Sequence, residues 1–180
     1  LSRLRKGRKT VVGHWQDPKT LERIAVWQRV AAAWADSQDM RIIRFGDQMN
    51  NVAVTDGDKV EAEIRFGFHV DYVPFSTVMT YFEKIEDKDV DALVEVYFNE
   101  YDHAPELEDK TTEAYRKVWN SAKAELTLRA VLEAYGAKAF TSNFDDLGDV
   151  NVEETGKGFD QIPGLASQRL MADGYGFGGE

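Results

Sequence analysis

The sequence contains no cysteine. Disulfides and thiolate metal sites are therefore excluded, and the absence is compatible with a reducing compartment. Positive charge is scarce: 22 Lys and Arg stand against 32 Asp and Glu, for a formal net charge of −10. That balance argues against nucleic acid as the main partner, because phosphate binding needs a basic face. No apolar run approaches the roughly 20 residues a membrane helix requires. The first segment is basic rather than apolar, unlike a signal peptide. Internal repeats and low-complexity segments are also missing. The expectation is a soluble, cytoplasmic protein with no membrane partner.

What is present is enough for a core. Apolar residues make up 43% and aromatics 12% of 180 residues, which suits one domain, or one domain plus the edge of a second. The chain opens Leu1-Ser2-Arg3 and stops at Gly178-Gly179-Glu180, which suggests an internal piece of a longer protein. Arg3, Arg5, Lys6, Arg8 and Lys9 read as the last turn of a helix closed by Gly7, where cations suit the negative dipole end.

The pattern beyond is that of an α/β protein. Thr10-Val11-Val12-Gly13 reads as a short buried strand. Asp17-Pro18 supplies an N-cap and first turn, and Ile24, Trp27, Ala31 and Trp34 recur at helical spacing. Met40 to Phe45 is the next strand, and strand–helix–strand begins the α/β alternation. Val52-Ala53-Val54 reads as a further extended piece. Lys59 to Phe66 alternates like a strand but has helix-forming residues, a capping box over Thr55 to Asp58, and Gly67 at its end; a helix is favoured. Val70 to Val73 is a strand. Helices follow over about 76–85, from about 87 with Val90, Leu93, Val94 and Tyr97 on one face, and over about 111–135 with Tyr115, Val118, Trp119, Ala122 and Leu126 as its stripe. Ala139 to Ser142 is a strand, and Pro163 opens a last helix to about Ala172. The polar loop from Gly148 to Asp160 reads as exposed and mobile.

Three motifs invite chemistry. Gly174, Gly176 and Gly179 spell G-x-G-x-x-G, but they follow a helix rather than a strand, so a glycine-rich turn beside a site is the better reading than a dinucleotide loop. Asp145, Asp146 and Asp149 spell D-D-x-x-D; the neighbouring Gly148 argues for a solvated acidic loop rather than a magnesium site. His14, His69 and His103 have no ligand-like spacing. His14, at a strand end, is open to a site or a structural role, and the other two read as surface or packing residues.

Several segments together resemble the L-arabinose isomerase family. Val12-Gly13-His14-Trp15-Gln16-Asp17, Arg44-Phe45-Gly46-Asp47-Gln48-Met49, Val52 to Val60, Ala139-Phe140-Thr141-Ser142-Asn143-Phe144, and the run from Pro163 to Glu180 match family stretches in the same order. Gln48 departs from the asparagine more usual there, and the acidic loop is longer than the usual connection. The resemblance implies a Rossmann-like parallel sheet flanked by helices, preceded by a strand–helix piece from a neighbouring domain. It places residues 1–38 at the edge of an N-terminal domain and 39–180 in a central domain. It implies that Glu180 is both a metal ligand and one of two acid/base glutamates, that Met49 and Phe144 form an apolar wall by the sugar, and that the cofactor is Mn²⁺. His14 receives no catalytic role. The reaction implied converts L-arabinose to L-ribulose through an enediol, in a homo-oligomer, a hexamer, with sites at subunit junctions. The second glutamate and two histidines of that metal site would lie beyond Glu180, so this stretch by itself is expected to be inactive. A non-enzymatic sugar-binding or scaffolding domain, and an isomerase of another sugar, are the alternatives.

Overall fold

Asp17 and Pro18 begin the first helix as their chemistry dictates. In the computed structural model, which describes residues 7–49, 51–143, 147 and 159–179, the Asp17 carboxylate accepts from the Lys19 amide at 3.2 Å and from the Thr20 hydroxyl at 3.0 Å. Pro18 occupies the first turn, where its missing N–H leaves no orphan. The helix, α1, runs Pro18–Ser37. It belongs to the first of two compact units, Leu1–Asp39; the second is Met40–Glu180. Within the first unit the expected apolar stripe is laid out on solvent, with Trp27 50% and Trp34 55% exposed. The strand expected at Thr10–Gly13 is not formed. Residues 7–12 have no regular structure and Val12 is 80% exposed. A lone extended segment has no ladder to pair its backbone, and the described residues of this unit contain no other strand. The basic turn expected over residues 3–9 falls largely outside the described residues.

The second unit is built on a parallel sheet of β1 (Arg41–Phe45), β2 (His69–Val73), β3 (Ala139–Ser142) and β4 (Gly176–Gly179), in the order β2-β1-β3-β4. Ile43 pairs with Asp71 on one side and Phe140 on the other, and Phe140 pairs in turn with Phe177. Numbered over the described residues, its helices are α2 (Lys59–Phe66), α3 (Phe75–Phe82), α4 (Asp87–Glu100), α5 (Glu113–Tyr135) and α6 (Gly164–Ala172). The α/β expectation, a parallel sheet flanked by helices, is therefore met.

The choice between strand and helix at 59–66 went to the helix. The Asp58 carboxylate accepts from the Glu61 amide at 2.8 Å, and Gly67 closes the end in the left-handed region at φ 82°. Local caps outweighed the alternating pattern. Two other expectations are corrected. Val52-Ala53-Val54 is not extended: Ala53–Thr55 forms a 3₁₀ turn, closed as the Thr55 hydroxyl donates to the Val52 carbonyl at 2.8 Å. Gly176 to Gly179 is not a turn but strand β4. Glycine weakens a strand, yet it allows close approach. A Cβ on Gly176 would lie 3.0 Å from the Ala139 Cβ, so the β3–β4 pairing is made where a side chain would collide.

The main core lies on one face of the sheet. Ile43, Phe45, Val73 and Phe140 meet Val78 of α3, Leu128, Val131 and Leu132 of α5, and Ala166 and Leu170 of α6. A second cluster joins Val90, Val94 and Tyr97 of α4 to Tyr115 and Ala122 of α5. α5 is thus buried on two sides, which is why it hides Ala124, Leu128, Val131 and Leu132 beyond the single stripe its sequence suggests. Between the clusters sits a buried ionic knot. Glu125, 1% exposed, accepts from the Tyr97 hydroxyl at 2.6 Å and from Arg129 at 2.8 Å, with Arg169 of α6 at 3.6 Å. Burial first, and the bond to Glu125 second, push the Tyr97 phenol well above its ordinary value.

Candidate functional site

The strand order locates the crevice. The chain moves from β1 to β2 in one direction, then crosses back past β1 to β3 and on to β4. With right-handed crossovers this reversal puts α2 on one face and α3 to α6 on the other. The loops leaving β1 and β3 therefore diverge, and the gap at their carboxyl ends is where open α/β sheets bind ligands.

The loop after β1 is held from several sides. The Gly46 amide donates to the Val73 carbonyl at 3.0 Å, tying its start to the end of β2. Arg44, its side chain 14% exposed, forms an ion pair with Asp47, donates to the Gln48 side-chain oxygen at 3.3 Å, and lies 5.9 Å over the Tyr72 ring. The Asp47 carboxylate also accepts from the Gln48 amide at 2.9 Å. The Asp47 carbonyl accepts from the side-chain amide of Asn143, a 5% exposed residue at the end of β3. Met49 follows, half-buried, and its carbonyl takes the Val52 amide at 3.2 Å. Asp47 is thus held by its side chain from Arg44 of β1 and by its backbone carbonyl from Asn143 after β3, the two strands where the reversal occurs.

A cavity of about 340 Å³ opens beside this clamp, between the ends of β3 and β4 and the start of α6. Ser142, Asn143, Ser167 and Gln168 supply neutral hydroxyls and amides, and Ile162, Pro163 and Phe177 supply apolar wall. Phe177 is seated on Phe140 with ring centroids 4.8 Å apart. A lining of uncharged donors and acceptors with apolar and aromatic patches suits a small polyhydroxylated molecule.

Of the residues the sequence singled out, Met49 stands on the clamped loop; Phe144 and Glu180 lie outside the described residues, as do Asp145, Asp146 and Asp149. The three histidines are not brought together. His14 makes a local turn, its Nδ1 accepting from the Gln16 amide at 3.3 Å. His69 is on β2 beside Glu63 at 3.3 Å, and His103 pairs with Glu108 at 2.8 Å while packing on Phe98. Among the described residues no group of three or more His, Asp or Glu is placed to hold a metal ion. The described donors, amides and hydroxyls, do not by themselves fit a divalent cation, which prefers carboxylates. Sequence reasoning missed Asn143 and Gln168. Both are polar residues in otherwise ordinary segments, and only their place in the fold, Asn143 just past β3 and Gln168 on α6 facing the cavity, marks them.

Residues 41–180 match the model of the L-arabinose isomerase central domain, and residues 1–39 that of the L-arabinose isomerase N-terminal domain. This chain belongs to the L-arabinose isomerase family. It is 69% identical, over 99% of its length, to the L-arabinose isomerases of Phocaeicola vulgatus and Bacteroides thetaiotaomicron, and 46% identical over its whole length to that of Flavobacterium johnsoniae. It covers 34% of each of those relatives, so the chain spans about a third of the length of the proteins it resembles. Among the described residues no helix is long and apolar enough to cross a membrane.

Proposed function

We propose that this chain is the central part of a cytoplasmic L-arabinose isomerase, an aldose–ketose isomerase that converts L-arabinose to L-ribulose. The observation that carries the reading is family membership over essentially all of the chain, joined to an uncharged cavity at the carboxyl ends of β3 and β4. In this reading Met49 and Phe144 present an apolar wall to the carbon skeleton. The clamped loop after β1 fixes the sugar relative to the catalytic groups, the positioning on which such chemistry depends.

Glu180 is one of two acid/base glutamates and a ligand of Mn²⁺. Aldose–ketose exchange moves a proton between C2 and C1. A carboxylate poised there takes it from one carbon and returns it to the other, a contribution of about 10²–10⁴ in rate. When bound, the cation supplies Lewis-acid polarisation of the sugar's oxygens. The protein works as a homo-oligomer, a hexamer. Residues 1–180 alone are inactive in this proposal, because the resemblance puts the second glutamate and the two histidines of the metal site beyond Glu180.

The test is conversion of L-arabinose by the protein as its gene encodes it, with L-ribulose measured with and without added Mn²⁺. Metal-dependent formation of L-ribulose, lost in Glu180→Gln, is expected. Turnover by Glu180→Gln at the wild-type rate, or L-ribulose formation by residues 1–180 alone, would refute the roles assigned here. A protein that binds L-arabinose without converting it is a sugar-binding domain instead, and one that turns over only another aldose is an isomerase of that sugar.

A further inference from the structure

We infer that Asn143 is a positioning residue for the sugar site, acting as a latch that holds the Met49 loop against the end of β3. The inference rests on the isomerase reading above for the role of Met49. The contact itself stands apart from that reading. Asn143 is 5% exposed, and its side-chain amide donates to the backbone carbonyl of Asp47, 96 residues earlier.

Its location gives the contact meaning. β1 and β3 are neighbours in register, Phe45 facing Ser142, and the chain reverses direction around them. The Asn143–Asp47 bond is a side-chain rung placed one step past the last backbone pair, at the mouth of the crevice. Arg44 holds the carboxylate of the same Asp47 from β1 itself. One residue is therefore gripped through its side chain by its own strand and through its backbone by the neighbouring strand.

The two grips are unequal in what they can fix. The Arg44 pair is local, three residues apart, and leaves the loop free to swing with β1's end. The Asn143 bond crosses strands, so it ties the β1 loop directly to the end of β3. Met49 lies two residues past the latched carbonyl. Asn143 also lines the cavity shared with Gln168 and Phe177, so loosening the latch changes the wall and the cavity rim together. A wall residue contacts the sugar in ground state and transition state alike. Its displacement weakens both by the same amount, which raises KM and leaves kcat in place. Loss of one neutral hydrogen bond corresponds to a change of about 3- to 10-fold.

The test compares wild type with Asn143→Ala and Asn143→Asp in the protein as its gene encodes it. The second variant keeps the shape and removes the donor. Two readouts are taken: steady-state kinetics with L-arabinose, and hydrogen exchange at the amides of residues 46–49. The expected result is KM raised about 3- to 10-fold with kcat within about twofold, and loop exchange faster by a similar factor, in both variants. A folded variant with wild-type KM and wild-type loop exchange overturns the inference. So does a fall in kcat at unchanged KM, which would place Asn143 at the reacting atoms. Two variants that both fail to fold overturn it as well, making Asn143 a folding residue. A wild-type protein that forms no L-ribulose is a different failure: it refutes the isomerase reading and removes the sugar-positioning role, whatever the exchange data show.

Discussion

The ionic knot around Glu125 should respond asymmetrically to the loss of its two signs. Glu125 is 1% exposed, and the groups around it are the Tyr97 hydroxyl and the guanidinium groups of Arg129 and Arg169. The arginines have other partners. Arg129 pairs with Asp173 at 2.5 Å, and Arg169 pairs with Glu100 at 2.5 Å and accepts no strain from losing one acid, since the Tyr101 hydroxyl lies at 2.9 Å. Replacing Glu125 with Gln therefore leaves no cation stranded. The cost is the charge-assisted part of its bonds, about 1.5–3 kcal/mol. Replacing both arginines with methionine strands a buried carboxylate with only the Tyr97 phenol, and breaking a buried pair this way costs about 3–5 kcal/mol. Urea unfolding of the three proteins, read by tryptophan fluorescence and far-UV dichroism with matched slopes, measures the difference. The arginine double variant should unfold at lower urea than Glu125→Gln. The reverse order, or a double variant within about 1 kcal/mol of wild type, would refute the claim that the carboxylate is the member of the knot that depends on the others.

Phe140→Ala should cost about 3–5 kcal/mol in the same assay, because the ring is 1% exposed and joins Phe45 and Phe177 across the sheet; a loss under about 1 kcal/mol would mean the cavity collapses. Gly136→Ala should destabilise by about 1 kcal/mol and Gly136→Asn by less, since Gly136 closes α5 at φ 62°; equal stabilities would contradict the left-handed cap. His103 should titrate above the ordinary histidine value of about 6.5, held up by its bond to the Tyr101 carbonyl and then by Glu108. Its contribution to stability is therefore full below about pH 6.5 and is lost as pH rises through the elevated folded-state value. NMR titration of wild type and Glu108→Gln checks this, and a midpoint that does not fall in the variant would rule out Glu108 as a cause.

Where a residue's effect is local, the sequence carried the structure. Asp17-Pro18, Gly67 and Gly136 each act within one turn, so one end of α1, α2 and α5 could be read, although the N-cap of α2 is Asp58 and not the Thr55 of the expected capping box. Reading failed where the deciding partner is distant. Gly176 to Gly179 looks like a turn because nothing nearby says that Ala139 will lie alongside it. Val11 and Val12 look like a strand because their composition cannot report the lack of a neighbour. Glu125 on α5 resembles any solvated helix charge until Tyr97 and Arg169 arrive from 28 residues earlier and 44 later. The site divides in the same way. Met49 was singled out through resemblance of a contiguous stretch, whereas the Asn143–Asp47 bond and the cavity beside Gln168 exist only after β1, β3 and α6 are assembled.

The central position of β1 also sets a schedule for synthesis. Its partner β2 begins at His69, but the strand on its other side begins at Ala139. At about 5–20 residues per second, the ribosome takes roughly 3–15 s to make that interval. Throughout it Ile43 and Phe45, both fully buried in the end, have neither β3 beside them nor α5 complete above them. The nascent chain should be most dependent on chaperones in that window. Stalled chains ending between residues 80 and 135 should capture a hydrophobic-segment chaperone more strongly than chains carried well past 142, and equal capture at all lengths would show that β1 finds shelter without its second neighbour.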